Sequence, residues 1–294
     1  MIPVNQWQAN PKGEIILDKI KSDGIRKKFK LKEGQQVNNN GSVSNEIEVL
    51  NGVDLRIRKG EFLVMVGPSG CGKSVFLDII GGLTTPTSGK VYHDEKPIDG
   101  PNLKTGYVFQ QYALFPWRNA LSNIEFGLET QGVPKEERTK IAKNLLSKFG
   151  LSGFEDRFPY QLSGGMQQRV AIARALATNP EVLLMDEPFA ALDAQTREIL
   201  QNELLRIWEG TETTVIFVTH SIDEAVFLAD RVAVMTARPG VIKQLIDIDL
   251  PRPRNGGVRS SSEFVINRHK VWDALKAEVI RAQKDWELAS VYAR

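Results

Sequence analysis

The sequence predicts an α/β fold whose core is a mostly parallel sheet covered on both faces by helices. Two observations carry this prediction. Val182-Leu183-Leu184-Met185, Val215-Ile216-Phe217-Val218 and Val232-Ala233-Val234-Met235 are short, continuous apolar runs with a helical stretch between successive ones, the pattern of strands buried on both faces. A fourth run, Phe62-Leu63-Val64-Met65-Val66, leads directly into Gly67-Pro68-Ser69-Gly70-Cys71-Gly72-Lys73-Ser74 and then Val75-Phe76-Leu77-Asp78-Ile79-Ile80. A buried strand therefore feeds a glycine-rich turn that opens a helix.

In chain order, residues 1–13 form a leader without periodicity, in which Trp7 is the one docking candidate. Ile15-Ile16-Leu17 is strand-like and precedes the basic Arg26-Lys27-Lys28-Phe29-Lys30, readable as a solvated strand edge or a binding patch. Residues 32–45, rich in Asn and Gln, read as an exposed loop or hairpin tip. Residues 47–57 alternate as strands, with Asn51-Gly52 as one turn and Lys59-Gly60 as the next, which predicts an antiparallel β subdomain. Pro86-Thr87-Ser88-Gly89 turns the chain into Lys90-Val91-Tyr92, and the strand Gly106-Tyr107-Val108-Phe109 ends in Gln110-Gln111, a polar pair where α/β sheets meet ligands. Residues 112–178 lack β-branched runs; helices over 121–129, 135–149 and 164–178 would make an inserted helical subdomain. Beyond Leu250 a Pro- and Gly-rich linker, residues 251–257, precedes Val265, Trp272, Leu275, Val279, Ala282 and Trp286 at helical spacing. That terminal amphipathic helix packs on its own domain or on a membrane.

Bulk properties narrow the function classes. The 294-residue chain is 41% hydrophobic, enough for a core in one large or two modest domains. Its 38 Lys and Arg against 36 Asp and Glu leave a formal charge of +2, which makes no general electrostatic case for nucleic acid or an anionic membrane. The single cysteine, Cys71, fits a reducing compartment. Residues 1–10 lack the regions of a signal peptide, and no window approaches 18 consecutive apolar residues. The expectation is a cytoplasmic protein that reaches a membrane only through a partner.

The chemistry concentrates at strand ends. Glycines at 67, 70 and 72 let the backbone curl until successive N–H groups point at an anion, and the helix start adds partial positive charge. Lys73 would reach the β- and γ-phosphates of a nucleoside triphosphate, and the Ser74 hydroxyl would ligate Mg²⁺. Asp186-Glu187 follow a buried strand; adjacent carboxylates there either meet a cation or cap the next helix. In the first case Asp186 holds the magnesium and Glu187 polarises the attacking water, a role worth about 10²–10⁴-fold in rate. Thr219-His220-Ser221 ends another strand and puts His220 on the same sheet edge, where an imidazole could donate to a γ-phosphate or orient water. Finally, Leu162-Ser163-Gly164-Gly165-Met166-Gln167-Gln168-Arg169 makes a second anion-binding helix start. With the first loop cradling the phosphates, the second is best explained by a nucleotide bound to another copy.

On these residues the sequence resembles the ATP-binding-cassette (ABC) ATPases over roughly residues 14–250. The glycine-rich loop, Gln110, the Leu-Ser-Gly-Gly segment, Asp186-Glu187, Ala191-Leu192-Asp193 and His220 occur in the family's order and spacing. The resemblance implies a P-loop NTPase cassette: a RecA-like core, an antiparallel β subdomain and a helical subdomain. It further implies ATP and Mg²⁺ bound through Gly67, Pro68, Ser69, Gly70, Cys71, Gly72, Lys73, Ser74 and Val75. Gln110 would join Asp186 and Ser74 at the metal and link it to the helical subdomain. Leu162, Ser163, Gly164, Gly165 and Gln167 would serve the opposing subunit's ATP, with Asp193 crossing the interface. Phe29 would stack on adenine, or is simply an edge phenylalanine. Val75 departs from the family's usual threonine and removes a hydroxyl near the α-phosphate.

Within the family, Leu114-Phe115-Pro116-Trp117-Arg118-Asn119-Ala120 and Met235-Thr236-Ala237-Arg238-Pro239-Gly240 resemble the importer branch serving nitrate, sulfonates and taurine. Residues 112–120 would then receive a helix of a membrane permease, or else pack locally. The implied protein is a peripheral subunit on the cytoplasmic face of the cell membrane. It would pair with a second cassette and be served indirectly by a solute-binding protein, without nucleic acid. The rival reading is a soluble cassette ATPase acting on nucleic acid or the ribosome; a single phosphate loop and no sustained heptads between Gly67 and Asp186 argue against it.

Overall fold

The computed structural model describes residues 17–30 and 45–292, with side chains to residue 287. The expectations for residues 1–13, Trp7, Ile15, Ile16 and nearly all of the 32–45 tract lie outside the described residues. Two sheets organise the rest. The first carries β1 (Asp18–Lys30), β2 (Glu46–Arg58), β4 (Ser88–His93) and β5 (Lys96–Pro97) in the order β2-β1-β4-β5, all antiparallel. The second carries β3 (Phe62–Val66), β6 (Thr105–Val108), β7 (Val182–Asp186), β8 (Thr214–Val218), β9 (Arg231–Met235) and β10 (Ile242–Asp247) in the order β10-β9-β3-β8-β7-β6. Only β10 runs antiparallel there.

The parallel sheet is buried on both faces, and period-two alternation sorts its side chains. From β3, Phe62, Val64 and Val66 join the core on one face, while Leu63 and Met65 join the core on the other. β8 does the same with Val215 and Phe217 against Ile216 and Val218. Each such buried side chain contributes about 1.5–3 kcal/mol, so these short runs are core strands rather than surface segments. On one face lies α1 (Lys73–Ile80), between the parallel sheet and the antiparallel sheet. On the other lie α5 (Ala194–Trp208), α6 (Ile222–Leu228) and the residues that cover them.

Between β6 and β7 the chain builds α2 (Ala120–Thr130), α3 (Lys135–Lys148) and α4 (Gly164–Ala177), which pack on one another. Their starts are legible: Asn119 accepts from the Ser122 N–H at 2.9 Å, and α3 has Pro134 before it, Glu136 and Glu137 in its first turn and Lys148 in its last, which suits the helix dipole. The buried Asn123 amide donates to the carbonyls of Phe115, Arg118 and Asn119 and accepts from the Phe115 N–H. It thereby pins the 115–119 segment, leaving Trp117 72% exposed.

Three expectations are corrected. Of the strand-like 15–17 stretch only Leu17 is described, and it is exposed and precedes β1 rather than forming part of it; the basic stretch of β1 pairs across to β2, with Arg26 3.6 Å from Glu48 and Lys28 4.0 Å from Glu46. Asn51-Gly52 is no turn, because β2 runs unbroken through it; Gly52, at φ 77°, is the extra residue where Ile25 pairs with Val53 and Arg26 with Asn51, a glycine bulge. The C-terminal helix α7 (Ser262–Tyr292) buries Phe264, Asn267, Val271, Ala274, Leu275 and Glu278. Of the predicted stripe, Val265, Trp272 and Trp286 stay exposed.

Candidate nucleotide site

β3, β8 and β7 are adjacent in the sheet, so the segments leaving their C-terminal ends meet: the glycine-rich loop, Thr219-His220 and Asp186-Glu187. Ligands of open α/β sheets bind at this edge. A cavity of about 270 Å³ lies there, lined by Ser69, Gly70, Gly72, Lys73, Ser74 and Val75 with Gln110, Glu187, His220 and Val49.

The loop can take its shape only with glycine at key points. Gly70 and Gly72 have φ of 74° and 102°, and a Cβ on Gly72 would come within 2.7 Å of Leu50 and 2.9 Å of Val49. Lys73 is 4% exposed, its ammonium donating to the carbonyls of Gly67 (2.9 Å) and Pro68 (3.1 Å) at the centre of the loop. No side chain caps α1 at Gly72, so its first N–H groups are available to an anion. Cys71 is buried, and burial pushes its thiol pKa up despite Lys73. The glycine of the 235–240 segment belongs to this packing too: a Cβ on Gly240 would fall 2.1 Å from the Cys71 carbonyl oxygen.

The acidic pair faces the loop. The Ser74 hydroxyl donates to Asp186 Oδ1 at 3.0 Å. Burial pushes the Asp186 carboxyl up, the Ser74 bond opposes this, and the charges of Glu187 and Asp78 add to the rise. Hard oxygen donors and crowded negative charge are what a divalent cation relieves, so this donor set fits Mg²⁺. Glu187 has φ 45°, uncommon for a non-glycine residue; its N–H donates to the Val218 carbonyl at 3.0 Å. Its carboxylate lies 2.5 Å from His220 Nε2. Burial raises the Glu187 pKa, but the His220 hydrogen bond and the charges of His220 and Lys73 outweigh it. The net shift is downward, which keeps this carboxylate ionised at neutral pH.

The second anion-binding segment stands apart. Ser163 is the N-cap of α4, its hydroxyl accepting from the Met166 N–H at 3.3 Å, and Gln167 donates to the Leu162 carbonyl at 3.1 Å. A Cβ on Gly165 would meet Thr196 Cγ2 at 2.8 Å, which packs this segment on the start of α5, where Asp193 caps the Thr196 N–H at 2.9 Å. None of Leu162, Ser163, Gly164, Gly165, Gln167 or Asp193 lines the cleft. Nor does Phe29, 40% exposed on the antiparallel sheet opposite Ile47, with Lys27 5.0 Å over its ring. Val49 takes the wall instead: it is the extra residue where Lys27 pairs with Leu50 and Lys28 with Glu48, and a bulge re-aims a side chain.

Sequence reasoning missed Val49, Asn123 and Arg174, and quoted Gln168 only as part of the 162–169 segment. Arg174 of α4 donates to the carbonyls of Tyr112 (2.9 Å) and Ala113 (2.6 Å), consecutive residues at φ 54° and 49°. It clamps the turn after Gln110 onto α4, with the Tyr112 hydroxyl 3.3 Å from the Cβ position of Gly164. Gln168 is fully buried, and neither of its amide atoms has a hydrogen-bond partner among the described residues. No periodicity marks these positions; only the bulge at Val49 has a signal, in the broken alternation of β2.

A glycine-rich loop closed by Lys-Ser, facing an Asp-Glu pair at the end of the strand two places along the sheet, defines an α/β nucleoside-triphosphatase. Comparison sharpens the class. A family profile described as ABC transporter matches residues 50–190. Over 268 residues the chain is 54% identical to an uncharacterized ABC transporter ATP-binding protein of Methanocaldococcus jannaschii, covering 90% of this chain and 99% of that one. It is 44% identical over 227 residues to a taurine import ATP-binding protein of Yersinia pestis, covering 76% and 89% respectively. Its structure resembles the dimeric post-hydrolysis state of an ATP-binding cassette bound to ADP and Pi, with a TM-score of 0.68 and 36% identity, covering 79% of this chain and all (100%) of that one. The chain belongs to the ABC transporter family and is an ATP-binding ATPase of that family. The nucleic-acid alternative finds no support among these relatives.

Proposed function

We propose that the chain is the ATP-hydrolysing motor of an importer for a small oxyanion-type solute, of the nitrate, sulfonate or taurine kind. The solute class is supported by the likeness to a taurine import protein and by residues 114–120 and 235–240. Residues 14–250 form the cassette, with residues 112–178 as its helical part and residues 251–294 as an extension. Among the described residues no helix is long and apolar enough to cross a membrane; the chain docks on the cytoplasmic face of a separate permease through the exposed Trp117 and its neighbours in residues 112–120.

The observation that carries the reading is the pairing at one edge of the sheet, Ser74 after β3 with Asp186 of β7 across the end of β8, and Glu187 with His220 between the adjacent β7 and β8. ATP phosphates are held by the N–H groups of residues 67–75 and by Lys73. Ser74, Asp186 and Gln110 hold Mg²⁺, which when bound neutralises phosphate charge. Glu187 takes the proton of the attacking water, and His220 fixes the Glu187 carboxylate in position. Phe29 approaches the adenine from the antiparallel sheet. Ser163, Gly164 and Gly165 of a second cassette, with Leu162 and Gln167 behind them, close over the nucleotide while Asp193 crosses the interface. Residues that line no cleft of their own chain thereby acquire one, and a solute-binding protein acts upstream of the permease.

Glu187→Gln tests this. The variant should bind ATP with near-normal affinity, lose about 10²–10⁴-fold in turnover and accumulate as a dimer in sedimentation with ATP. A variant that binds ATP and stays monomeric defeats the composite site.

A further inference from the structure

A second cavity, of about 510 Å³, opens beside the nucleotide cleft and shares His220 with it. Its other walls are Ile222 and Asp223 of α6 and Arg268, His269 and Trp272 of α7. Trp272 is 42% exposed, although the same helix buries Phe264 and Val271 fully or nearly so. Arg268 lies 3.7 Å from Asp223, both side chains more than half exposed at 55% and 54%. The cavity thus sets an apolar wall of Trp272 and Ile222 beside a polar one, in which Arg268 is loosely paired with Asp223 and His269 stands alongside, next to the histidine that holds Glu187.

The same chain presents a segment of matching chemistry. After the left-handed turn at Glu187, Ala190 and Ala191 are exposed and Leu192 is buried. Asp193 then stands fully in solvent. Hydrogen bonds from the Thr196 N–H and hydroxyl and from the backbone hold its carboxyl below the usual range. Only one carboxylate oxygen, Oδ1, accepts the Thr196 N–H. Two small methyl groups suit the indole wall, and an ionised carboxylate suits His269 and the half-exposed Arg268, which it would share with Asp223.

We propose that this cavity receives residues 190–193 of a second copy of this chain, with the Ala190 and Ala191 methyls against Trp272 and Ile222 and the Asp193 carboxylate facing Arg268 and His269. The inference rests on the two-copy reading above and goes beyond it by making α7 part of the closing face. Continuity supplies the argument for the occupant: a copy seated over the nucleotide cleft abuts His220, and His220 is also the rim of this cavity. Symmetry supplies the rest. A two-fold dimer repeats each contact, so one loop and one cavity per chain satisfy each other twice. The loop docks beside His220, so the cavity fills only when the second copy closes.

Cross-linking tests the placement. Ala191→Cys and His269→Cys are introduced together and separately into Glu187→Gln, and a short thiol-specific cross-linker is added with and without ATP. Cys71 is 1% exposed with its thiol pKa raised, so the introduced thiols react first. The expected result is an ATP-dependent covalent dimer from the double variant, and from an equimolar mixture of the two single variants, but from neither single variant alone. In parallel, Trp272→Ala should weaken the ATP-induced dimer by about tenfold. Dimerisation of the Glu187→Gln parent without cross-linking of the pair overturns this inference and leaves the two-copy reading intact. So does equal cross-linking by Ala191→Cys alone, in which the loop meets its own copy. A parent that binds ATP and stays monomeric overturns both.

Discussion

Two helix starts in this chain are rich in glycine and built for anions, and they differ in what satisfies them. At α1 the N-cap is Gly72, with φ 102° and no side-chain cap, recessed behind Val49 and Leu50. At α4 the N-cap is Ser163, which already satisfies the Met166 N–H with its own hydroxyl and stands exposed. The first start has none of its N–H groups capped by a side chain; at the second, the Met166 N–H is already taken by Ser163, which leaves the Gly164 and Gly165 N–H groups for a ligand. On the function proposed above, the loop supplies binding strength and Ser163 belongs to the surface that closes over the nucleotide.

The largest way to break this comparison is at the loop. Lys73→Ala removes the ammonium that sits among the loop carbonyls, and the loss of one preorganised charge aimed at a phosphate costs on the order of 10²–10³-fold in turnover. ATP binding should fall with it, as read by nucleotide titration. Retained affinity would mean that the backbone N–H groups alone hold the triphosphate. At the second helix start, Ser163→Asp separates capping from closure. Aspartate caps as well as serine, so thermal stability and ATP affinity should stay put. A carboxylate facing another copy's phosphates should lower ATP-driven dimerisation and turnover by about tenfold or more. Ser163→Ala gives the complementary pattern, about 1 kcal/mol of stability lost with dimerisation less affected. If Ser163→Asp dimerises normally, Ser163 does not face the second nucleotide.

The parts of the fold that repeat were legible in the sequence. Continuous apolar runs announced β3, β7, β8 and β9, and the loop between β3 and α1 announced where the ligand edge lies. What escaped was decided by single residues breaking a period. Gly52 looks like a turn beside Asn51, yet β2 absorbs it as a bulge. On α7 the predicted stripe of Val265, Trp272, Leu275, Val279, Ala282 and Trp286 is only partly the buried face: Leu275 and Val279 pack on the core while Val265, Trp272 and Trp286 stay exposed. The buried face is rotated from it and includes polar groups. Glu278 accepts from the Ala237 N–H at 3.1 Å and from Lys243 at 2.8 Å, and such satisfied contacts remove the cost of burying it. The Arg174 clamp was illegible for the same reason, since it acts through the left-handed turn at Tyr112 and Ala113, whereas the bulge that aims Val49 left its only mark in the broken alternation of β2.

The smallest expected effect tests the loop from inside. Val75 follows Ser74 on the first turn of α1 and lines the cleft half-buried. Valine and threonine have nearly the same shape, so Val75→Thr changes a methyl for a hydroxyl without moving the backbone N–H beside it. One added hydrogen bond contributes about 0.5–1.5 kcal/mol net, less whatever the loss of an apolar contact costs. ATP affinity should therefore rise a few-fold in an equilibrium titration, with ADP affinity rising in step, because the hydroxyl would meet the α-phosphate that both nucleotides share. A gain for ATP alone would place the hydroxyl nearer the γ-phosphate. No gain at all would show that the N–H groups at the uncapped start of α1 already saturate the site, which is the strongest form of the contrast with Ser163.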